Sequence, residues 1–235
     1  FGLLGLYDDV KKLVQASGTF WGLRFRHKLI IQMILALIIA YVIYAQLGYN
    51  FIFIHGIGLA PVGWFFVPFA AFVIVAFANA FNITDGLDGL ASGLLLICLG
   101  AFLAISTSQL DDFLGVFIAI LMGSVAVFLY FNIYRARLWL GDVGSLSLGA
   151  VLAVIGLLTG KTIALAFIGG VFVLEVSSSL LQLLSKKYLG KKLFSVSPLH
   201  LYLQKKGWEE PKIVMRAWLL GFMFAILGLY LAFIK

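Results

Sequence analysis

Seven runs of about twenty apolar residues lie along this chain, at about 29–47, 64–81, 89–107, 113–133, 143–160, 162–184 and 217–234. A helix needs about 20 such residues to cross a hydrocarbon core of roughly 30 Å. Lipid offers no partner for a bare backbone, so each run must satisfy its own peptide groups. Composition agrees over the whole length: 63% of the residues are hydrophobic, 11% are charged and the mean hydropathy is +1.10. Soluble domains lie nearer half apolar and about a quarter charged. The opening stretch FGLLGLY is apolar and follows no charged segment or cleavage site, so it reads as the tail of a further span rather than a signal peptide. The expected fold is therefore an all-α integral membrane protein, a polytopic helical bundle of about seven full transmembrane helices plus the end of one more. Residues 1–235 are expected to form a single transmembrane catalytic domain, an N-terminally truncated fragment with a basic cytoplasmic loop at 185–212.

The charges orient the spans. If the spans alternate, 15 of the 17 Lys and Arg residues fall on one side, within 11–28, 135–137 and 186–216; only Lys161 and Lys235 fall on the other. This asymmetry marks the basic side as cytoplasmic and puts the C-terminus outside. It also accounts for the net charge of +7 without nucleic acid. The exterior stretch 48–63 alternates like a strand and reads as a short hairpin or re-entrant cap. Pro68 is expected to kink its span. Cys98 stands alone in an apolar run, and His27, His55 and His200 are far apart in sequence, so no zinc motif is present.

Five acidic residues, Asp8, Asp9, Asp85, Asp88 and Asp142, fall at cytoplasmic span ends. A carboxylate there must be solvated, paired or bound to a cation. Asp8 and Asp9 follow an apolar helix end in GLYDDVKK; adjacent helical residues point about 100° apart, so the two are expected to differ in role, or simply to form a solvated end beside Lys11 and Lys12. In NAFNITDGLDGLASG (79–93), Asp85 and Asp88 share a face if the segment is helical. Asn79 and Asn82 add amides, and Gly86, Gly89 and Gly93 allow close approach. A capping role would explain one Asp, not this whole set. In NIYRARLWLGDVGSLSLG (132–149), Asp142 stands between glycines, and Trp139 offers either a stacking face or an interfacial belt residue. Arg135 and Arg137 suit phosphate or positive-inside anchoring. Asp111, Asp112, Glu209 and Glu210 read as solvated loop charges. Glu175, within a span, should face the bundle interior or a cavity. An aspartate set without histidine ligands fits magnesium, which takes one or two carboxylates plus substrate phosphates.

These motifs, taken with SPLHLYLQKKGWEEPKIVMRAW (197–218), occur in the order found in the polyprenyl-phosphate N-acetylhexosamine-1-phosphate transferases. The chain resembles that family from Gly2 to its last span. TDGLDGLA and the pattern from Gly207 to Trp218 bring it nearest the phospho-N-acetylmuramoyl-pentapeptide-transferase branch. The resemblance implies a bacterial inner-membrane enzyme with a cytoplasmic site. In that reaction undecaprenyl phosphate attacks the β-phosphorus of UDP-N-acetylmuramoyl-pentapeptide, UMP leaves and lipid I forms in peptidoglycan synthesis. Carried over by motif, Asp142 with Asp9 holds Mg2+, Asp8 deprotonates the lipid phosphate and Asp9 is its partner. Asp85 and Asp88 lie on the nucleoside side with Asn82, Gly86 and Leu87 as pocket wall, Asn132 and Trp139 occupy the uridine pocket, and His200 contacts phosphate. A homodimer is also implied. Direct attack is favoured over an aspartyl-phosphate intermediate, because an Asp engaged with a metal or proton is a poor nucleophile.

The chain departs from the family where three consecutive histidines are usual. Here Pro198-Leu199-His200-Leu201-Tyr202 keeps one. The resemblance also places two full spans, most of a third and a nucleotide-holding lysine upstream of Phe1. Two other readings remain: a UDP-N-acetylhexosamine transferase for another surface glycan, and a non-catalytic membrane homologue. A cation transporter would instead place carboxylates mid-membrane between repeats, and no repeat is visible.

Overall fold

The computed structural model describes residues 1–15, 25–54 and 58–234. Arg24, His55 and Lys235 lie outside the described residues. Ten helices are described: α1 (Gly2–Gln15), α2 (Phe25–Leu47), α3 (Phe66–Thr84), α4 (Leu90–Ser108), α5 (Asp112–Asn132), α6 (Gly141–Leu158), α7 (Thr162–Ile168), α8 (Gly170–Leu184), α9 (Leu199–Lys205) and α10 (Glu210–Phe233). Strands β1 (Phe51–Ile54) and β2 (Gly58–Pro61) pair antiparallel, Phe51 opposite Pro61, as the alternation at 48–63 suggests. The protein is thus an all-α polytopic membrane protein. Among the described residues, six helices are long and apolar enough to cross a bilayer, or seven spans if α7 and α8 count as one.

Two expectations change. The apolar run 162–184 is a broken span: α7 and α8 are bent by 80° at Gly169. Two consecutive glycines, Gly169 and Gly170, explain why a uniformly apolar run breaks there. Pro68 lies in its span but near the start of the helix, not at a mid-span kink. It is the third residue of α3, in the first turn, where a missing N–H costs the helix nothing.

The described chain forms two compact units. The first comprises residues 1–82 and 140–162. Within it, α1 lies against the start of α6. A Cβ on Gly5 would strike the Asp142 backbone, so glycine sets this approach. Gly149 of α6 meets Phe77 and Phe81 of α3 in the same way. Asn79 of α3 donates to the Gln32 Oε1 of α2 at 2.6 Å. Tyr49 donates to the Leu158 carbonyl at 2.5 Å, and Lys161 lies 3.2 Å from the Phe53 ring centroid. Burial pushes the Lys161 ammonium below its ordinary pKa.

The second unit comprises residues 83–139 and 163–234. Here α4 packs on both α5 and α10. Gly93 admits the Trp218 indole, and Gly221 admits Leu94. Gly228 of α10 lets Ile168 approach. Asp111, expected to be an ordinary loop charge, caps α5 by accepting from Leu114 N–H at 3.0 Å. Buried Cys98 donates weakly to the Ile168 carbonyl at 3.3 Å.

Candidate functional site

In the first unit, four helices bring charged ends together. Asp8, Asp9 and Lys12 come from α1, Lys28 from α2, Asn82 from α3 and Asp142 from α6. Lys28 Nζ donates to Asp8 Oδ2 at 2.9 Å and to Asp142 Oδ2 at 2.7 Å. Lys12 Nζ donates to the same Asp142 oxygen at 2.7 Å and lies 3.5 Å from Asp8 Oδ2 and from Asp9 Oδ1. The other Asp142 oxygen accepts from Asn82 Nδ2 at 2.8 Å; that amide also donates to Ser145 Oγ at 2.7 Å. Asp9 Oδ2 accepts the Val143 N–H at 3.1 Å, at the start of α6, where an anion is favoured.

The local backbone requires glycine at position 141. Its φ is +61°, and a Cβ there would stand 2.7 Å from Asp9 Oδ2. The two adjacent aspartates make different contacts: Asp8 faces Lys28, and Asp9 faces the start of α6. Partial burial lowers the Lys12 pKa. Its hydrogen bond to Asp142 and the charges of Asp142, Asp8 and Asp9 outweigh that, so the ammonium is held above its ordinary value. Lys12 is therefore charged throughout the physiological range. Three carboxylates against two ammoniums leave one net negative charge among these side chains.

Asp8, Asp9 and Asp142 are the carboxylates of this unit that could contribute to a divalent-cation site, although they form no finished cage. Among the described residues, no group of three His, Cys, Asp or Glu side chains is placed to hold a metal. Asp8 and Asp142 nevertheless converge on one cationic position, that of Lys28 Nζ, with oxygen atoms 2.9 and 2.7 Å from it. Two carboxylates are what a magnesium site bridging substrate phosphates needs. The resemblance pairs Asp142 with Asp9; in the structure Asp142 and Asp8 share Lys28, and Asp142 and Asp9 share Lys12.

In the second unit, the turn 85–89 before α4 is held on every side. Asp88 Oδ2 accepts the Ala136 N–H at 2.9 Å, and the Asp88 N–H donates to Glu210 Oε1 at 2.7 Å. Asn132 is buried: Oδ1 accepts from Gly89 N–H at 3.1 Å and Ser92 Oγ at 2.8 Å, while Nδ2 donates to the Leu138 carbonyl at 2.9 Å. Trp218 Nε1 donates to the Gly89 carbonyl at 3.2 Å. Gly86 faces His200, Leu87 is buried, and Asp85 is partly exposed. Trp139 is 71% exposed and stands clear of this network, open either to a ligand or to the interface.

The structure thus gathers Asp8, Asp9, Asn82 and Asp142 in one unit. In the other it gathers Gly86, Leu87, Asp88, Asn132 and His200 around one turn. The sequence reading places Lys12 beside Asp8 and Asp9 only as a solvated neighbour and treats Lys28 as a topological anchor, so it misses their part in this cluster. Lys12 has one legible signal, its i+3 and i+4 spacing from Asp9 and Asp8; Lys28 has none. Glu210, expected to be solvated, instead accepts a hydrogen bond from the turn.

Residues 1–160 match the model of glycosyl transferase family 4. The chain is 40% identical to the phospho-N-acetylmuramoyl-pentapeptide-transferase of Bacillus subtilis, over 98% of this chain and 71% of that protein. It is 39% identical to the one from Oceanobacillus iheyensis with the same coverage, and 38% identical to the one from Pelagibacter ubique over 97% of this chain and 68% of that protein.

Proposed function

Because the chain belongs to glycosyl transferase family 4, we propose that it transfers phospho-N-acetylmuramoyl-pentapeptide from UDP to undecaprenyl phosphate, yielding lipid I and UMP. The observation that carries this reading is the convergence of Asp8, Asp142 and Lys28, from three different helices, on one charged position. A mere set of helix-end charges has no reason to be tied together across α1, α2 and α6. Likeness to three phospho-N-acetylmuramoyl-pentapeptide-transferases selects the donor over another UDP-N-acetylhexosamine. The excess of Lys and Arg in these loops supports a cytoplasmic face for this cluster, in a bacterial inner membrane.

In the reaction, an oxygen of the lipid phosphate forms a bond to the β-phosphorus of the donor. The bond from that phosphorus to the bridging oxygen breaks, and UMP leaves with the electron pair. Asp8 takes the proton of the lipid phosphate where it is protonated. Lys12 and Lys28 carry positive charge toward the phosphoryl oxygens on which negative charge gathers. Asn82 and Ser145 fix the orientation of Asp142. Asp142 with Asp9 would hold magnesium, which would supply charge neutralisation for the pyrophosphate. The turn 85–89 and Trp139 serve the nucleoside.

The test is lipid I synthesis in bilayers containing undecaprenyl phosphate, with UDP-N-acetylmuramoyl-pentapeptide and UDP-N-acetylglucosamine offered separately. Product from the first donor alone is expected; product from the second alone assigns a different glycan, and none from folded protein removes the enzymatic reading. Trp139→Ala should raise the donor KM about tenfold, the loss of roughly 1–1.5 kcal/mol of stacking. An unchanged KM in steady-state assays would return Trp139 to the membrane interface.

A further inference from the structure

Glu175 lies in α8 within the second unit and is only 4% exposed, so its carboxylate has to be satisfied by protein groups. Its hydrogen-bond donors come from one residue of α9. Oε1 accepts the His200 backbone N–H at 3.2 Å. Oε2 lies 3.4 Å from that nitrogen and 3.1 Å from His200 Nδ1. His200 is itself 2% exposed. The carboxylate already accepts the backbone N–H of this residue, and an Nδ1–H donor completes the pair of contacts from His200. A neutral imidazole then carries its lone pair on Nε2.

The ring points at the turn 85–89. A Cβ on Gly86 would stand 2.5 Å from His200 Nε2, so glycine at this position lets the imidazole reach the backbone of the turn. Among the described residues no hydrogen bond reaches Nε2, and Nε2 is not a buried orphan: it lies beside the exposed Gly86. A ring fixed at Nδ1 and reaching the surface at Nε2 can meet a ligand there.

We propose that Glu175 is a positioning residue, holding His200 as the Nδ1–H tautomer so that Nε2, beside Gly86, accepts a hydrogen bond from a hydroxyl or ring N–H of the bound sugar nucleotide. This rests on the transferase reading for the identity of the ligand, but not for the tautomer. It also gives the single histidine of the 198–202 stretch a task separate from phosphate binding: a neutral Nε2 is an acceptor, and phosphate oxygens are acceptors too.

The test is 15N NMR of histidine-labelled protein in lipid nanodiscs at mildly alkaline pH. With only His27, His55 and His200 present, His27→Gln and His55→Gln variants assign the signals. His200 should show a protonated Nδ1 and a bare Nε2, and UMP should move the Nε2 signal while Nδ1 stays protonated. Glu175→Gln should lower the Nδ1–H population and raise the donor KM about tenfold with kcat changed less than about threefold, the pattern of lost ground-state and transition-state binding alike. A wild-type ring protonated on Nε2, or an Nε2 signal indifferent to UMP, overturns the proposal and needs no variant to fold. A Glu175→Gln enzyme with unaltered tautomer and KM also overturns it. If no lipid product forms but the wild-type ring is Nδ1–H and Nε2 responds to UMP, the reaction assignment fails and the positioning role stands.

Discussion

Asp142→Asn should leave the protein folded and inserted while lowering lipid I synthesis by about a thousandfold, roughly 4 kcal/mol of transition-state stabilisation. Asparagine keeps the shape of the side chain but has one oxygen where aspartate has two. In the wild type one oxygen receives both Lys12 and Lys28 at 2.7 Å, and the other receives Asn82 at 2.8 Å. The variant cannot serve both sets. It also removes the negative charge that the two ammoniums share and that magnesium would use. Folding should survive because Lys28 keeps Asp8, and Gly5 still fits α1 against α6. Initial rates with a magnesium titration, together with thermal unfolding of the same sample, check this. Turnover within about tenfold of wild type would make Asp142 a structural ion-pair residue. A variant that unfolds is uninformative by rate alone, so Asp142→Glu is the companion: it retains charge at a shifted position, and its rate should lie between the other two.

How far the sequence reveals this arrangement depends on the kind of signal each residue leaves. Span positions are legible because a long apolar run has few other uses, and the α3, α4, α5 and α6 spans fall where their runs predict. The break at Gly169 is less legible, because the hydropathy of the two pieces together passes for one span and glycine pairs also occur in unbroken ones. The turn 85–89 stands out through its density of Asp, Asn and Gly. Its partners do not: Glu210 and Trp218 are over a hundred residues away and reach the turn through contacts at Asp88 and Gly89. Asn132 is identified from its motif as a uridine-pocket amide, and in the structure both ends of that amide brace protein groups. Glu175 is legible as a costly mid-span acid, but His200, its partner, is 25 residues away. Charge counting has a particular blind spot. Every lysine near a cytoplasmic span end satisfies the positive-inside pattern, so the pattern cannot single out one that also belongs to a cluster.

Lys28→Ala separates those two roles and should have the other large effect. The side chains of Lys28, Asp8 and Asp142 retain 15%, 12% and 13% of their exposure, so the trio is not a solvated surface pair. Removing the ammonium leaves Asp8, among the described residues, with only the 3.5 Å Lys12 ion pair, while Asp142 keeps the closer one. Breaking a buried pair costs about 3–5 kcal/mol; with Lys12 still in place the expected loss is about 2–3 kcal/mol. Lipid I synthesis should fall about a hundredfold or more, with both kcat and KM affected, because the ammonium faces phosphoryl oxygens before and during transfer. Lys28→Arg should recover stability more than rate, since a planar guanidinium keeps the charge but not its compact position. Lys186→Ala, on an exposed residue of the basic loop, is the control and should change neither quantity. If Lys28 only anchors topology, Lys28→Ala will resemble that control in thermal unfolding and turnover, and the carboxylates of α1 and α6 will have to be explained without it.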